Sequence, residues 1–374
     1  MRNRKFFMIL ILVVCLLSAC KNNDSIDIAG IIPLSGDYYL DGIDKKCGIE
    51  LAISQRPNIL GKKINFIYAD SKSERIEAIN IYNKLAGNKN ICGIIDGGNS
   101  MLAEDVASVS QKKPLPLIVS TASLEKITSY GKNIFRIAGS DKTQGECMAQ
   151  FALKDLGLEN KTGAVLYNKE NSYSIMLAKS FIESFKQNGG EILIQQDYLN
   201  SDTDFSLQLN KIMMLKPEVL FLPDYAYNVV LILEQIKNKN LDIKVLGSDT
   251  CENVINQSSN KLFPSQIYFC TNYFYDNPSY KNKAFVKAYE DKYKKKPSTF
   301  SALAYDSCNI LLDAIEKTQS IKYDDIIKSL NEISFNGVTG RLKFSDNRNP
   351  IRDLNIIKIS DGQNKFMKVF SLYS

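Results

Sequence analysis

Short apolar runs alternate with amphipathic stretches along most of the chain, and this alternation restricts the fold more than any other feature. Two of the runs, Ile91–Ile95 and Leu115–Val119, are continuous, apolar and short, as expected of strands buried on both faces. A helical pattern follows each run, and the same order of strand and helix recurs before and after them. Regular alternation of this kind predicts an α/β fold, in which helices cover both faces of a parallel sheet.

Small polar residues follow each of these two runs, at the point where the strand is expected to end. They occupy Gly97–Ser100 after the first run and Ser120–Ser123 after the second. The carboxyl ends of neighbouring parallel strands open into one crevice, and the hydroxyls and helix N-terminal amides of such turns offer donors to an anion. The sequence therefore predicts a crevice for the carboxylate of a small ligand, with ordinary turns and helix N-caps as the alternative.

The beginning of the chain has the composition of a secretion signal. Three basic residues among the first five precede a continuous apolar run over Phe6–Leu17, which Ser18, Ala19 and Cys20 follow. The run is shorter than the about 20 residues that a membrane span needs, and the small residues at its end are typical of a cleavage site. We expect residues 1–19 to form a signal peptide. Because Cys20 follows Leu-Ser-Ala, the site resembles the bacterial lipobox, which implies that Cys20 becomes the first residue of the mature protein and carries lipid; the alternative is a plain secretory signal in which the cysteine is incidental.

About 350 residues remain after this leader, more than one average domain contains. The pattern changes near Asn133–Asp141, where a second series of strands and helices begins, and the chain crosses back near Ile267–Tyr275. We predict two doubly wound parallel-sheet lobes joined by a hinge of several crossings. The predicted parts are a lipidated tether over residues 20–25, a first lobe of residues 26–141 and 273–350, and a second lobe of residues 142–272 and 351–374.

Residue types that many enzymes require are missing from the sequence. The chain has no histidine, which removes the Ser-His-Asp and Cys-His nucleophiles and the usual zinc sites. It also has no G-x-G-x-x-G loop, no P-loop and no C-x-x-C pair. Of its net charge of +6, three positive charges lie in the leader, so no polyanionic partner is indicated. We predict a protein that is not an enzyme, without cofactor, metal or nucleic acid, and leave one or two disulfides open.

Several short motifs occur in a characteristic order along nearly the whole mature chain. They are Ile32–Gly36, Leu60–Lys62, Phe135–Ile137, Ser140–Asp141, Asp202–Phe205, Ala304–Asp306 and Gly337–Gly340. In this order and spacing, the chain resembles the branched-chain amino acid (leucine/isoleucine/valine) binding proteins of ABC transporters, which have the type I periplasmic binding fold. The resemblance implies a monomeric receptor, held outside the cytoplasm on the bacterial cell membrane by lipid on Cys20, that presents an amino acid to ABC permease subunits.

The resemblance also implies a ligand site between the lobes. In the family, two turns of the first lobe hold the α-carboxylate, an acidic residue after a strand of the second lobe holds the ammonium group, and aromatic residues complete the pocket. The matching positions in this sequence are Ser100, Thr121, Ala122 and Ser123 for the carboxylate, Asp249 for the ammonium group, and Tyr173 and Tyr225 for the aromatic pocket. The alternative role of Asp249 is that of a cap for a helix over Cys251–Ile255.

The sequence departs from the family pattern near the expected pocket. Asp41 precedes Gly42 where the family has a small or aromatic residue, the turn Asp96–Gly98 is altered, and the usual glycine after Tyr173 is missing. These changes leave the ligand open among branched-chain-like amino acids, related small amides and more polar or basic compounds. Two other functions also stay open, namely a ligand sensor that reports to a membrane signalling protein, and a lipoprotein whose cleft binds nothing and whose surface serves adhesion.

Overall fold

The computed structural model describes residues 25–258 and 266–371. The predicted signal peptide, the lipidated Cys20 and nearly all of the predicted tether lie outside these described residues. The described chain forms a six-stranded sheet, a seven-stranded sheet and a small three-stranded sheet. Within residues 25–258 and 266–371, no helix combines the length and the apolarity that a membrane crossing requires.

The six-stranded sheet has the order β2-β3-β1-β4-β5-β6 and is parallel except at its edge, where β2 runs antiparallel to β3. In the neighbouring interior strands β4 and β5, Ile95 lies opposite Ile118, and both side chains are fully buried. The continuous apolar runs of the sequence therefore form the middle of this sheet, as predicted. Its strands are β1 Ser25–Ile32, β2 Asn58–Ile59, β3 Lys62–Asp70, β4 Ile91–Asp96, β5 Leu117–Val119 and β6 Ile134–Arg136.

The seven-stranded sheet has the order β16-β15-β11-β10-β9-β7-β8. Five of its strands are parallel, and the hairpin of β15 and β16 adds antiparallel strands at one edge. Its strands are β7 Thr162–Asn168, β8 Glu191–Tyr198, β9 Val219–Phe221, β10 Lys244–Gly247, β11 Ile267–Thr271, β15 Leu354–Ser360 and β16 Gln363–Phe370. The prediction of two doubly wound lobes is confirmed, with an antiparallel edge on the second sheet.

Helices cover both faces of each large sheet, and a separate apolar core forms on each face. The helix that begins after Ser298 crosses under the first sheet, where Leu311 packs against the backbone of Gly93. The helices are Tyr39–Gln55, Arg75–Leu85, Ser100–Ser110, Asp141–Asp155, Ser172–Gln187, Ser206–Leu215, Ala226–Asn238, Val254–Gln257, Tyr280–Tyr293, Thr299–Thr318 and Tyr323–Asn331, with 3-10 helices at Glu125–Tyr130 and Asp249–Asn253.

Three chain segments connect the two large sheets, and one arginine joins all of them. Buried Arg352 donates to the carbonyl oxygens of Ile137 at 2.6 Å, of Asn272 at 3.1 Å and of Thr339 at 2.6 Å. Ile137 and Asn272 follow β6 and β11, and Thr339 lies in the turn between β12 and β13. Arg352 itself ends β14, just before the chain enters β15. The three-stranded sheet consists of β12 Ser334–Gly337, β13 Gly340–Phe344 and β14 Pro350–Arg352. The predicted hinge of several crossings is thus a compact hydrogen-bonded unit.

Candidate functional site

The carboxyl ends of β4 and β5 bring the two predicted turns, Gly97–Ser100 and Ser120–Ser123, side by side. We call them the hydroxyl turns. The amide and the hydroxyl of Ser120 both donate to the Asp96 carbonyl, at 3.0 and 2.8 Å, and the Thr121 hydroxyl donates to the Gly98 carbonyl at 3.2 Å. These contacts fix the two turns against each other at one edge of the first sheet.

Each hydroxyl turn presents its polar groups in a different way. Asn99 caps the helix Ser100–Ser110 by accepting from the Leu102 amide at 3.0 Å, so Ser100 is the first helical residue and stays partly exposed. Ala122 is buried, and its carbonyl accepts from the buried Arg136 guanidinium at 2.6 Å. Burial raises the pKa of the Asp141 carboxyl, and the nearby Ser123 hydroxyl opposes this rise. The residues predicted to hold a carboxylate therefore lie together, although an acidic residue lies beside Ser123.

Asp249 lies directly beyond the carboxyl end of β10, where the sequence places it. Its two carboxylate oxygens lie 2.6 Å from the Tyr173 hydroxyl and 3.1 Å from the Gln144 side-chain amide. The amide of Asp249 donates to Gln144 in return, at 3.0 Å. Ser248, not Asp249, is the residue that precedes the 3-10 helix, and no side chain caps this helix. The Asp249 carboxylate is therefore directed at Tyr173 and Gln144, and its burial there raises its pKa.

Tyr173 and Tyr225 form a stacked pair beside Asp249. Their ring centroids are 5.3 Å apart and their planes differ by 11°. Tyr173 is partly buried, whereas Tyr225 is 55% exposed and lies at the rim. Burial is the main cause that raises the pKa of Tyr225. Tyr38, which follows β1 of the other large sheet and precedes the helix Tyr39–Gln55, lies close enough to raise it further. The structure thus brings both predicted tyrosines to one place, with a third aromatic ring on the opposite side.

Comparison with known proteins agrees with this geometry. The model of a family described as periplasmic binding protein matches residues 25–364. The chain belongs to this family. The matched region includes every residue predicted for the ligand site, the whole six-stranded sheet, and the seven-stranded sheet except most of β16.

Relatives of this binding protein have amino acids in their names. The Leucine-, isoleucine-, valine-, threonine-, and alanine-binding protein of Pseudomonas aeruginosa is 24% identical over 330 residues, 86% of each chain. The leucine binding protein LivK of Thermotoga maritima is 27% identical with a TM-score of 0.79, over 93% of this chain and 99% of that one. The Streptococcus pneumoniae protein LivJ, solved in complex with isoleucine, is 26% identical with a TM-score of 0.77, over 92% and 99%.

Asp141 is a site residue that the sequence analysis did not select. It is 7% exposed, and one of its carboxylate oxygens has no hydrogen-bond partner among the described residues. Its pKa is raised to about 7, mainly by burial and also by the charge of Asp249, while the Ser123 hydroxyl and Arg136 oppose this rise. One signal for it was available, because Ser140–Asp141 belongs to the family motifs.

A buried lysine explains the altered turn at Asp96–Gly98. Lys45 donates from Nζ to the Gly97 carbonyl at 2.8 Å, and its ammonium lies 4.7 Å from the centre of the Phe300 ring. Burial lowers the pKa of Lys45 to about 8 and raises the pKa of Asp96 to about 6. Asp96, Asp41 and Lys45 influence one another, so the unusual acids of this binding protein accompany an unusual buried cation.

Within residues 25–258 and 266–371, no group of three or more Cys, Asp or Glu side chains is placed to hold a metal ion. Two surface depressions of about 400 and 490 Å³ lie elsewhere, one beside Lys216 and Leu241 and the other beside Lys113 and Tyr323. The six described cysteines, which are Cys47, Cys92, Cys147, Cys251, Cys270 and Cys308, are unpaired.

Proposed function

We propose that this protein is an extracytoplasmic solute-binding protein that captures an amino acid between its two lobes and delivers it to an ABC importer. The observation that carries the proposal is Asp249, a carboxylate held by Tyr173 and Gln144 beside the site. The names of the leucine- and isoleucine-binding relatives support the same class of ligand. No contact of the described residues favours the sensor or adhesion alternatives.

The two ends of an amino acid fit the two kinds of group in the site. The carboxylate takes hydrogen bonds from the Ser100 hydroxyl and from the amides of Thr121, Ala122 and Ser123, since hydroxyls and helix N-terminal amides form short, charge-assisted bonds to anions. The ammonium group pairs with Asp249. Tyr173 and Tyr225 cover the apolar part of the ligand. The Tyr173 hydroxyl orients Asp249 and also bonds Ser248, whereas Tyr225 lies at the exposed rim.

Ligand binding closes the two lobes around the hinge. In this proposal the first lobe comprises residues 26–141 and 273–350 and the second residues 142–272 and 351–374. Arg352, which holds all three crossings, supports these boundaries. A ligand stabilises the closed state only through contacts that the open state lacks. Asp249 and the tyrosines supply such contacts once the carboxylate is bound to the hydroxyl turns.

The protein is anchored to the outer face of the cell membrane through lipid on Cys20 and acts as a monomer beside its permease. Two or more acyl chains hold a protein stably on a bilayer. In cells, Cys20→Ser is expected to move the protein from the membrane fraction to the soluble extracytoplasmic fraction. A Cys20→Ser protein that stays in the membrane fraction would contradict lipid anchoring and would leave the ligand site untouched.

A thermal-shift screen against the common amino acids and small amides tests the amino acid function. A ligand present at 1,000 times its Kd stabilises the folded protein by about 4 kcal/mol, so a micromolar binder at millimolar concentration gives a clear shift. We expect a shift with at least one group of amino acids, and isothermal titration calorimetry then gives its Kd. If no amino acid shifts the melting temperature, this function is wrong.

A further inference from the structure

We propose that buried Lys45 sets the charge of the carboxylate site, because its ammonium compensates the buried Asp96 carboxylate behind the turn Gly97–Ser100. This inference rests on the function proposed above and adds to its site a residue that does not touch the ligand. Lys45 is a positioning residue in this scheme: it acts on the ligand carboxylate through the turn and through the charge of Asp96.

The turn that leads into the helix Ser100–Ser110 has its acceptors engaged by the protein itself. The Gly97 carbonyl accepts from the Lys45 ammonium at 2.8 Å, and the Gly98 carbonyl accepts from the Thr121 hydroxyl at 3.2 Å. The first amides of a helix have no partner within the helix and remain donors. Lys45 therefore engages an oxygen that would otherwise repel an anion, at a turn that offers donors to it.

The ammonium of Lys45 is enclosed between this turn and an aromatic ring. Lys45 is 3% exposed, and its ammonium lies 4.7 Å from the centre of the Phe300 ring. A Cβ added to Gly97 would lie 3.2 Å from Cδ of Lys45, so the lysine stem runs directly along the turn. Because water is excluded here, the charge of Lys45 acts strongly on its surroundings.

Asp96 is the negative charge at the same turn. It is 1% exposed, its Oδ1 accepts from the Gly98 amide at 2.9 Å, and its Oδ2 has no hydrogen-bond partner among the described residues. Burial raises the pKa of Asp96 to about 6 and lowers the pKa of Lys45 to about 8, so both groups are mostly charged at pH 7. Without Lys45, Asp96 would repel a ligand carboxylate held by the next residues of the turn.

The burial of Lys45 has no other explanation in its contacts. Within residues 25–258 and 266–371 it forms no direct ion pair, whereas its neighbour Lys46 pairs with Glu50 at 3.8 Å. Burying an ammonium group costs free energy that an apolar side chain of the same length would avoid. We therefore attribute the buried charge to the anion that this turn receives and to the acid beside it.

The other acids near Lys45 do not take the place of Asp96. Asp44 pairs with Lys295 and accepts from the Ser298 hydroxyl at 2.6 Å. Asp41, one helical turn before Lys45, also influences it, but Asp41 is partly exposed and water screens its charge. Asp96 is thus the fully buried carboxylate at the turn whose compensation depends on Lys45.

A double-mutant cycle on the purified protein tests the inference. Calorimetry at pH 7 measures the Kd of the tightest binder among the twenty standard amino acids. Lys45→Met keeps the apolar length of the side chain without its charge, and we expect the Kd to rise about tenfold or more. Asp96→Asn keeps the acceptor for the Gly98 amide, and we expect a Kd no more than about threefold above that of wild type.

The double variant Lys45→Met/Asp96→Asn separates charge from structure. If Lys45 acts by compensating Asp96, the lysine is dispensable once the acid is neutral, and the double variant should bind within about threefold of Asp96→Asn. A structural role instead predicts that the double variant is about tenfold weaker than Asp96→Asn, and this result would overturn the inference. The comparison uses only these two variants, so it stands even if Lys45→Met alone does not fold.

A matched control and the wild-type titration complete the test. Lys46→Met makes the same change at the next residue of the helix, where the ammonium pairs with Glu50, and is expected to change the Kd less than about twofold. If none of the twenty amino acids binds the wild type, the proposed function is wrong and this inference falls with it. If one binds and the effects of Lys45→Met and Asp96→Asn are simply additive, only this inference is wrong.

Discussion

The two sides of the cleft differ in chemistry and in how the fold produces them. The first lobe contributes the hydroxyl turns, whose neutral hydroxyls and backbone amides follow directly from the ends of β4 and β5. The other side contributes carboxylates and tyrosines, which meet only because Gln144, Tyr173 and Asp249 come together from three separate elements. One side depends on backbone geometry and the other on a network of buried side chains, so the same type of substitution has different effects on the two sides.

Removing the Asp249 carboxylate gives the largest expected effect. In Asp249→Ala, a bound ammonium group would be desolvated without a counter-ion, which costs about 2–5 kcal/mol of binding. We expect at least a thirtyfold increase in the Kd of the amino acid that gives the largest thermal shift, measured by calorimetry. Asp242→Ala is the control, since exposed Asp242 lies before β10 and Asp249 lies after it. Wild-type affinity in Asp249→Ala would contradict its role as counter-ion.

A single hydroxyl of the other side contributes less. Ser100→Ala removes one hydrogen bond to the ligand carboxylate but keeps the amides of the turn, so we expect a loss of about 1.5 kcal/mol, roughly tenfold in Kd. Ser108→Ala on the same helix is the control, because its hydroxyl bonds only the Asp105 carbonyl. A larger loss in Ser100→Ala than in Asp249→Ala would reverse the comparison between the two sides.

The sequence reveals the first side of the cleft more completely than the second. The apolar runs and small residues at Ile91–Ser100 are local signals, and the structure places them where the pattern predicts. The importance of Asp141 depends on its burial beside Ser123 and Asp249, which are distant in the chain, and periodicity does not contain that information. Asp249 was predicted through the family resemblance. The motifs of a family reflect which residues meet in its common fold, and the periodicity of a single sequence does not contain that information.

Local signals can also mislead when a neighbouring segment offers better partners. The sequence Ser71–Glu74 has the form of a capping box, yet the helix begins after Glu74 and no side chain caps it. Asp70 instead accepts from the amides of Leu34, Ser35 and Lys72, at 2.8 to 3.1 Å, and these bonds shape the turn. Where two loops meet at the edge of a sheet, the first residue of a helix is therefore harder to predict from the sequence than the strands are.

Lowering the pH should weaken the contacts that the carboxylates of the second side make with the ligand, but not those of the hydroxyl turns. Burial raises the pKa of Asp141 to about 7, and Asp249, Glu125, Arg136 and Ser123 are the groups around it that modify this value. An ammonium ligand needs the ionised carboxylate, so between pH 8 and pH 6 we expect the Kd to rise by up to about tenfold. In Asp141→Asn this pH dependence should be lost; its persistence there would assign it to another group.

The same titration acts in the opposite direction on the unliganded protein. A carboxyl whose pKa is higher in the folded than in the unfolded state stabilises the fold at low pH, and this contribution disappears as the pH rises through the folded value. Asp141 and Glu252, both raised to about 7, should therefore make the free protein less stable at pH 8 than at pH 6. The thermal shift caused by ligand should be larger at pH 8.

The smallest expected effect is at the rim. Tyr225→Ala removes a ring that stacks on Tyr173, and such aromatic pairs contribute about 0.5–1.5 kcal/mol. Because Tyr225 is 55% exposed, we expect the lower part of this range, a two- to fivefold rise in Kd. Tyr227→Ala is the control, since Tyr227 lies two residues later, in the first turn of the helix that follows Tyr225, and is 65% exposed. If both variants bind like wild type, the Tyr225 ring at the rim is dispensable for ligand binding. On this side of the cleft, recognition would then be left to Tyr173 and Asp249.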